Sequence, residues 1–417
     1  MKETHSLSRR NLLTMMAGLP FATSLFNLKK FENLLPAPAE GALPHKELFE
    51  IKGTNINAAY IHPMSKGSYK AISSYLDERK INGHTPAYDM DENRRESKNL
   101  FAKLINADAD EIAWVPSTMA GENCILNGLS IPGTKSRVVT DAYHFSGSLF
   151  LYNELAKQGL NLHVIRPRDN KIYLDDLEAA ITPGTKLVAI SLVSAYNGFQ
   201  HDLKKVCEIA HAKNAMVYAD IIQAAGTVPI DVKESGVDFC ACATYKWLMG
   251  DFGAGFLYVR KDRLDQLKRS QIGYRQEASF ISHVYPFDDP GSVMFETISK
   301  TDTGGHFEVG TLGNAAIAAL RHSLTYLLET GVSKIQEYRK PMIDLIQQKL
   351  PSLGFAPLTD TGSTSPIVSF AFKDAAQLKP KLDTAGINIQ LYQNRIRISP
   401  SVYNDMEDIN KLIKTLS

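Results

Sequence analysis

Asp220 closes the apolar run Val217-Tyr218-Ala219-Asp220, and Lys246 follows the next such run, Phe239–Ala243. Adjacent strands that end at one sheet edge would carry this carboxylate and this amine into a single pocket. In open α/β sheets that edge is where ligands bind. Pyridoxal phosphate chemistry uses such a pair. The amine forms a Schiff base, and the carboxylate holds the pyridine nitrogen protonated so that the ring can act as an electron sink. A cationic partner in turn keeps a buried Asp ionised. An Asp after a strand also serves as a helix cap, and most lysines are solvated, so the pair takes its meaning from its context.

The elements that must position it read as alternating strands and helices. Runs rich in β-branched residues recur at Arg137–Thr140, Leu162–Ile165, Leu187–Val193, Ala215–Ala219, Phe239–Ala243 and Gly255–Val259. The first five start about 25 residues apart, the length of a βαβ unit, which predicts a mainly parallel sheet covered by helices. One helix is predicted to start after the N-cap Asp202, with Leu203, Val206, Cys207 and Ala210 on one face, and to end at Asn214. Only about a dozen residues separate the centres of the fifth and sixth strands, too few for a crossover, so these should be antiparallel neighbours. Lys246 lies in the link between them.

After about residue 300 the pattern changes. Helices fit Thr311–Glu329 and Val332–Leu350, the second carrying Pro341. Strands fit Pro366–Phe372 and Ile387–Ser399, and a last helix fits Asp405–Leu416. The expected organisation is a signal and linker at 1–39, a large α/β domain at 40–300 and a small α+β domain at 301–417.

The run Tyr218–Lys261 resembles the class V aminotransferase family of fold-type I pyridoxal phosphate enzymes. The matching words are Asp-Ile-Ile-Gln-Ala-Ala-Gly (220–226), Val-Asp-Phe (237–239), Tyr-Lys-Trp-Leu-Met-Gly (245–250) and Gly-Ala-Gly-Phe-Leu-Tyr-Val (253–259). Flanking words agree: 101–108 before a phosphate loop at 117–123, Phe-Glu-Val-Gly-Thr at 307–311, and Arg-Ile-Ser-Pro-Ser-Val-Tyr-Asn at 397–404. The resemblance runs from about Asn55 to Leu416.

It implies the following roles. Lys246 would form the Schiff base and move the α-proton. Asp220 would pair with the pyridine nitrogen, and Gln223 would bond the ring's phenolic oxygen. Thr118 and the backbone around Met119 would grip the phosphate at a helix N-terminus, where free N–H groups and the helix dipole favour an anion. Tyr245 would touch the same phosphate. Phe145, or His144 beside it, would stack on the ring. Thr311 would reach the partner subunit's phosphate in a homodimer. Arg397 would hold the substrate carboxylate, since its planar fork suits one. Arg395, on the same strand face, is its rival.

Departures narrow the reading. Gly250-Asp251 stands where the family often has Gly-Pro, and Ala195 stands near where some relatives place an Asn, with Asn197 two positions on. No Cys follows Cys242, whereas cysteine desulfurases use a thiolate in the C-terminal half. Gln223 stands where kynureninase has His. The words most resemble the isopenicillin N epimerase-like group. They imply a pyridoxal phosphate enzyme acting on an amino acid or amino-acyl group by epimerisation or transamination. A β- or C–S lyase without the usual cysteine, a periplasmic enzyme tailoring a peptide metabolite, and a non-catalytic binding protein of the same fold are the alternatives.

Composition sets the outer limits. The 417 residues carry 46 Lys plus Arg against 45 Asp plus Glu, a net charge of +1, which offers no basic stripe for nucleic acid. Four cysteines exclude a disulfide scaffold. Arg9 and Arg10, followed by an apolar stretch from Leu12 to about Phe26, resemble a twin-arginine export signal, with Ala37-Pro38-Ala39 as a cleavage site. The stretch is too short and interrupted to span a membrane. The expected address is periplasmic, or cytoplasmic if the signal is not used.

Overall fold

The computed structural model describes residues 42–82 and 90–417. The arginine pair, the apolar stretch and the cleavage word lie outside the described residues. No helix among the described residues is long and apolar enough to cross a membrane.

Seven strands form the main sheet: β1 (Ile112–Val115), β2 (Arg137–Asp141), β3 (Asn161–Ile165), β4 (Thr185–Ser191), β5 (Met216–Asp220), β6 (Phe239–Ala243) and β7 (Gly255–Val259). Their order is β1-β7-β6-β5-β4-β2-β3. β7 runs antiparallel to both β6 and β1, and the other pairs are parallel. The short link after β6 therefore makes the antiparallel neighbour its length requires. β1 has no counterpart among the expected strands: four apolar residues between a helix and a turn carry too little alternation to stand out.

Alternate residues of each strand enter different cores. Val188 and Ile190 of β4 join one cluster, and Leu187 and Ala189 join another on the opposite face. With both faces covered, the strands read as continuous apolar runs. The covering helices include α1 (Lys66–Asn82), α2 (Met90–Leu104), α3 (Thr118–Gly128), α4 (Ser146–Lys157) and α5 (Leu203–His211). α5 starts as expected, its Asp202 side chain accepting from the Lys205 N–H and Leu203, Val206, Cys207 and Ala210 all buried. It stops at His211. Asn214, at φ 59°, then closes the turn into β5.

The hairpin β8 (Glu277–Ser282) and β9 (Phe295–Ser299) follows. The helix expected at Thr311–Glu329 begins only at Asn314 and continues, after Ala319, as α6 (Leu320–Thr330). Thr311 is left in the loop before it. These segments pack on α1 and α2, and Ala316, Ile317, Leu320 and Leu324 belong to the core of the main sheet. The change of core falls inside α7 (Val332–Lys349), where Ile335 joins the first core and Met342 the last. By packing, the small domain thus begins some thirty residues beyond the expected limit at 301. It holds β10 (Ala356–Pro357), β11 (Val368–Ala371), β12 (Gln390–Tyr392) and β13 (Arg395–Ile398) in the order β10-β11-β13-β12, covered by α7 and α8 (Met406–Leu416).

Residues 54–62 strap the two halves together. Thr54–Asn55 pairs in parallel with Ile387–Asn388, Ile56 enters the small-domain core, and the Ala59 N–H donates to Ser399 Oγ. His62 Nε2 meets Ser401 Oγ at 2.8 Å.

Asp238, just before β6, ties the strand ends together. It accepts from the Val217 N–H at 2.7 Å and from Arg263 Nε at 2.7 Å, and faces His211 Nε2 at 2.8 Å. Burial works against its charge, but His211, Arg263 and the Val217 N–H hold its pKa below the usual carboxylate value. A depressed folded pKa adds stability above the unfolded pKa and loses it as pH falls through the folded value. Asp238→Asn should therefore cost about 3–5 kcal/mol at pH 7. In urea melts at successive pH values that difference should shrink below about pH 4.

Candidate active site

β2, β4, β5 and β6 end at one edge of the sheet, and α3 begins there. Ser117 caps α3, its side chain accepting from the Ala120 N–H. Thr118 Oγ1 accepts the Ala243 N–H at 2.9 Å, which fastens the helix N-terminus to the end of β6. The contact is close enough to require glycine on the helix: a Cβ at Gly121 would lie 2.8 Å from the Ala241 Cβ. Thr118 and Met119 thus stand where the first free N–H groups of α3 face the sheet edge.

A cavity of about 490 Å³ opens at this edge, against the small domain. Lys246, Tyr245, His144, Phe145, Ala195 and the arginines of β13 line it. A wider groove of about 900 Å³ between α5 and residues 360–364 contains none of these groups.

Lys246 is buried, and its Nζ has no hydrogen-bond partner among the described residues. Burial brings the ammonium down to about 8; Asp220 opposes the change and Arg397 adds to it. Asp220, buried on β5, accepts the Ile222 N–H at 2.9 Å. Burial pushes its carboxyl up to about 6, while His144, the Ile222 N–H and Lys246 restrain the rise. The amine and the carboxylate expected to meet are electrostatic neighbours.

His144 occupies the inner position. Its Nδ1 meets Ser191 Oγ at 2.9 Å, and its Nε2 meets Glu122 Oε1 at 3.1 Å. Ser191 stands in register with Asp220. Phe145 lies nearer the surface, with its N–H on Ser191 Oγ and its ring against Gly147. Both residues line the cavity, and His144 is the one coupled to Asp220. Gln223 is largely committed: Nε2 donates to the Ala59 carbonyl at 3.0 Å and Oε1 accepts from Trp247 Nε1 at 2.9 Å. One Nε2 hydrogen remains for a ligand. Tyr245 stacks on Phe252 at the rim. Thr311 is exposed and lies outside this cavity, with its hydroxyl 3.4 Å from that of Tyr274. Asn197 turns away to brace the loop through the Asn170 and Leu358 carbonyls, while Ala195 faces the cavity.

Arg397 is buried on β13. Nη1 donates to the Ala195 carbonyl at 3.0 Å, and its buried Nε and Nη2 have no partner. Two idle guanidinium donors in a buried wall are costly unless an anion fills them. Arg395 lies two residues earlier on the same face and also lines the cavity.

Glu122 is a feature that the residue order did not expose. This buried carboxylate accepts from Ser148 Oγ at 2.6 Å and Tyr152 Oη at 2.8 Å, besides meeting His144. Ser148 and Tyr152 are four apart on α4 and share its inner face. The signal was available as an acidic residue on the apolar side of a helix, but its partner lies on another helix.

The fold and this edge define a class: an α/β protein with a carboxylate ending one strand and a lysine just beyond the next, at the switch of strand direction. The chain belongs to the aminotransferase class-V family, which matches residues 66–412. It is 27% identical over 385 residues to the uncharacterized aminotransferase YcbU of Bacillus subtilis, covering 92% of this chain and 98% of that one. It is 26% identical over 386 residues to a probable cysteine desulfurase of Methanothermobacter thermautotrophicus, covering 87% and 93%. Among solved structures it is similar to C-DES carrying glycine linked to its pyridoxal phosphate, at TM-score 0.79 and 20% identity, over 89% of this chain and 99% of that one. It also resembles the cysteine desulfurase CsdA of Escherichia coli, at TM-score 0.76 and 20% identity, over 89% and 96%. The fold is the fold-type I pyridoxal phosphate-dependent transferase fold.

Pyridoxal 5'-phosphate is the cofactor of this family, and the residues present fit it. A desolvated amine and idle guanidinium donors line one cavity, the buried Asp220 carboxylate is the amine's electrostatic neighbour, and a helix N-terminus begins at the same sheet edge.

Burial pulls His144 toward its neutral form, and Glu122, with Asp220 and Asp141, more than reverses this, so its pKa lies above the usual histidine value. Glu122→Gln removes the nearest of these anions. Ring nitrogen NMR over a pH series should show His144 losing its proton at a lower pH in the variant than in the native protein. A His144→Gln protein would assign the signal.

Proposed function

We propose that this chain transforms an α-amino acid, or the amino-acyl group of a larger molecule, with Lys246 as the group that takes and returns the proton on Cα. The observation that carries the reading is Arg397, whose unpartnered Nε and Nη2 are buried in the wall of the cavity that holds Lys246. Bound there, pyridoxal phosphate supplies the electron sink that makes the Cα proton acidic.

The protein's own residues do the rest. Asp220 would pair with the ring nitrogen and keep it protonated. Thr118, the Met119 backbone and Tyr245 would hold the phosphate. His144 would stack on the ring with Phe145 outside it, and Gln223 would offer its remaining hydrogen to the ring oxygen. Lys246, at about 8, is neutral in a useful fraction of molecules near pH 7 and takes up a proton readily. Among the described residues it is the only lysine lining the cavity, and both ring nitrogens of His144 are engaged. One amine on one face suits transamination, in which a proton leaves one atom and returns to a neighbour. Epimerisation, as in the isopenicillin N epimerase-like group, would need a second donor; Tyr60, Tyr196, Tyr245 and Tyr392 are the hydroxyls that line the cavity.

A C–S lyase reaction is the second reading, supported by the desulfurases among the relatives. None of the four cysteines lines the cavity, and burial raises all four thiols, Cys124 to about 11. Sulfur would then leave on the product and not on the protein. We extend the proposal to a homodimer, with Thr311 reaching the partner subunit's phosphate, and to export by the twin-arginine route through Arg9 and Arg10. Sedimentation tests the first, and fractionation of an Arg9→Lys, Arg10→Lys pair tests the second.

The visible spectrum of protein loaded with pyridoxal phosphate tests the main reading. The native protein should gain a band that Lys246→Ala lacks, and an amino acid should shift it. Arg397→Gln should weaken that amino acid by roughly 10- to 100-fold. A 2-oxo acid product marks transamination, exchange of the Cα hydrogen with inversion marks epimerisation, and sulfide marks the lyase. A native protein that gains no band would overturn the reading.

A further inference from the structure

Two arginines, not one, face the substrate cavity. β13 places Arg395 and Arg397 on one face, about 7 Å apart along the strand. Arg395 is held rigidly. Its guanidinium lies 3.7 Å from the Tyr196 ring centre and 4.0 Å from that of Tyr392, and Nη1 donates to the Tyr196 carbonyl. Tyr392 stands directly opposite it in the strand pair. No Asp or Glu lines the cavity, and neither arginine makes an ion pair among the described residues. Tyrosine faces attract the cation but do not neutralise it.

We propose that Arg395 receives a second acidic group, carried on the side chain of the amino acid whose α-carboxylate rests on Arg397. The preferred substrate class is then the α-amino acids with an acidic side chain. This rests on the amino-acid reading above and deepens it. One carboxylate saturates one guanidinium fork. The α-carboxylate therefore leaves the outer cation unmatched, about one short side chain further out. Burial and mutual repulsion both disfavour the two cations: Arg397 has its pKa lowered first by burial and further by Arg395. A ligand with two anionic ends relieves both sites, while one with a neutral side chain relieves one. Because the tyrosines already fix the guanidinium, little side-chain entropy is lost when it binds.

The test is the ratio of two affinities. L-2-aminoadipate and its neutral analogue L-norleucine are titrated against the pyridoxal phosphate-loaded protein through the shift of its visible band. Glutarate and valerate, which carry no amine, are titrated by calorimetry against the same protein. The native protein should prefer the diacid member of each pair by tenfold or more. Arg395→Gln should bring both ratios close to one, and Arg395→Lys, which keeps the charge without the fork, should leave an intermediate ratio. A native ratio near one, or a ratio unchanged by Arg395→Gln, overturns the proposal and means that both arginines share one carboxylate or that Arg395 only clamps the domains. If no amino acid of any charge shifts the band, the amino-acid reading itself falls first.

Discussion

An amine and a carboxylate share the buried edge of the main sheet, and the rest of the structure is arranged around the cost of keeping them there. Neither Lys246 nor Asp220 is at ease: burial moves the one down to about 8 and the other up to about 6. Each tempers the other, and neither is matched completely. The sheet can impose this because β5 and β6 are covered on both faces and cannot shift to let water in. Asp238 adds a lock below the edge, spanning β5, β6 and the arginines after β7.

Charge alternates outward from Asp220. His144 stands next to it, and Glu122 stands behind His144 with Ser148 and Tyr152 filling its remaining lone pairs. Such a buried network is tolerable because His144, Glu122, Ser148 and Tyr152 satisfy one another. It also gives His144 a fixed ring orientation, since both ring nitrogens are engaged. The partners come from α3, α4 and the end of β4, so the site is coupled to the covering helices as well as to the strand ends.

The cavity exists only where the two domains meet. Lys246, Asp220 and His144 come from the large domain, the arginines from β13 of the small one, and the wall between them from the strap at residues 54–62. The strap explains why the C-terminal word Arg-Ile-Ser-Pro-Ser-Val-Tyr-Asn is so specific. Arg397 faces the cavity, while Ser399, Ser401 and Asn404 bond Ala59, His62 and the Asn55 carbonyl. One word therefore serves both the substrate side and the closure of the domains.

Local signals in the sequence determined much of this protein. Apolar runs of the right spacing defined six of the seven strands, the short link after β6 required an antiparallel neighbour, and Asp202 and Asp405 each set the start of a helix. They also placed the carboxylate and the amine at strand ends. These features are legible because they depend on neighbours in the chain: side-chain period, turn length and cap chemistry. The tertiary structure decided what depends on distant contacts. It added β1, too short to alternate, and moved the domain boundary into α7, where the packing partners change and the local pattern does not. It spent most of Gln223 on Ala59 and Trp247, put His144 inside Phe145, and brought Glu122 from another helix to hold it. It also left Arg397 with idle donors and clamped Arg395 between two tyrosines, Tyr392 from the neighbouring strand and Tyr196 from the large domain.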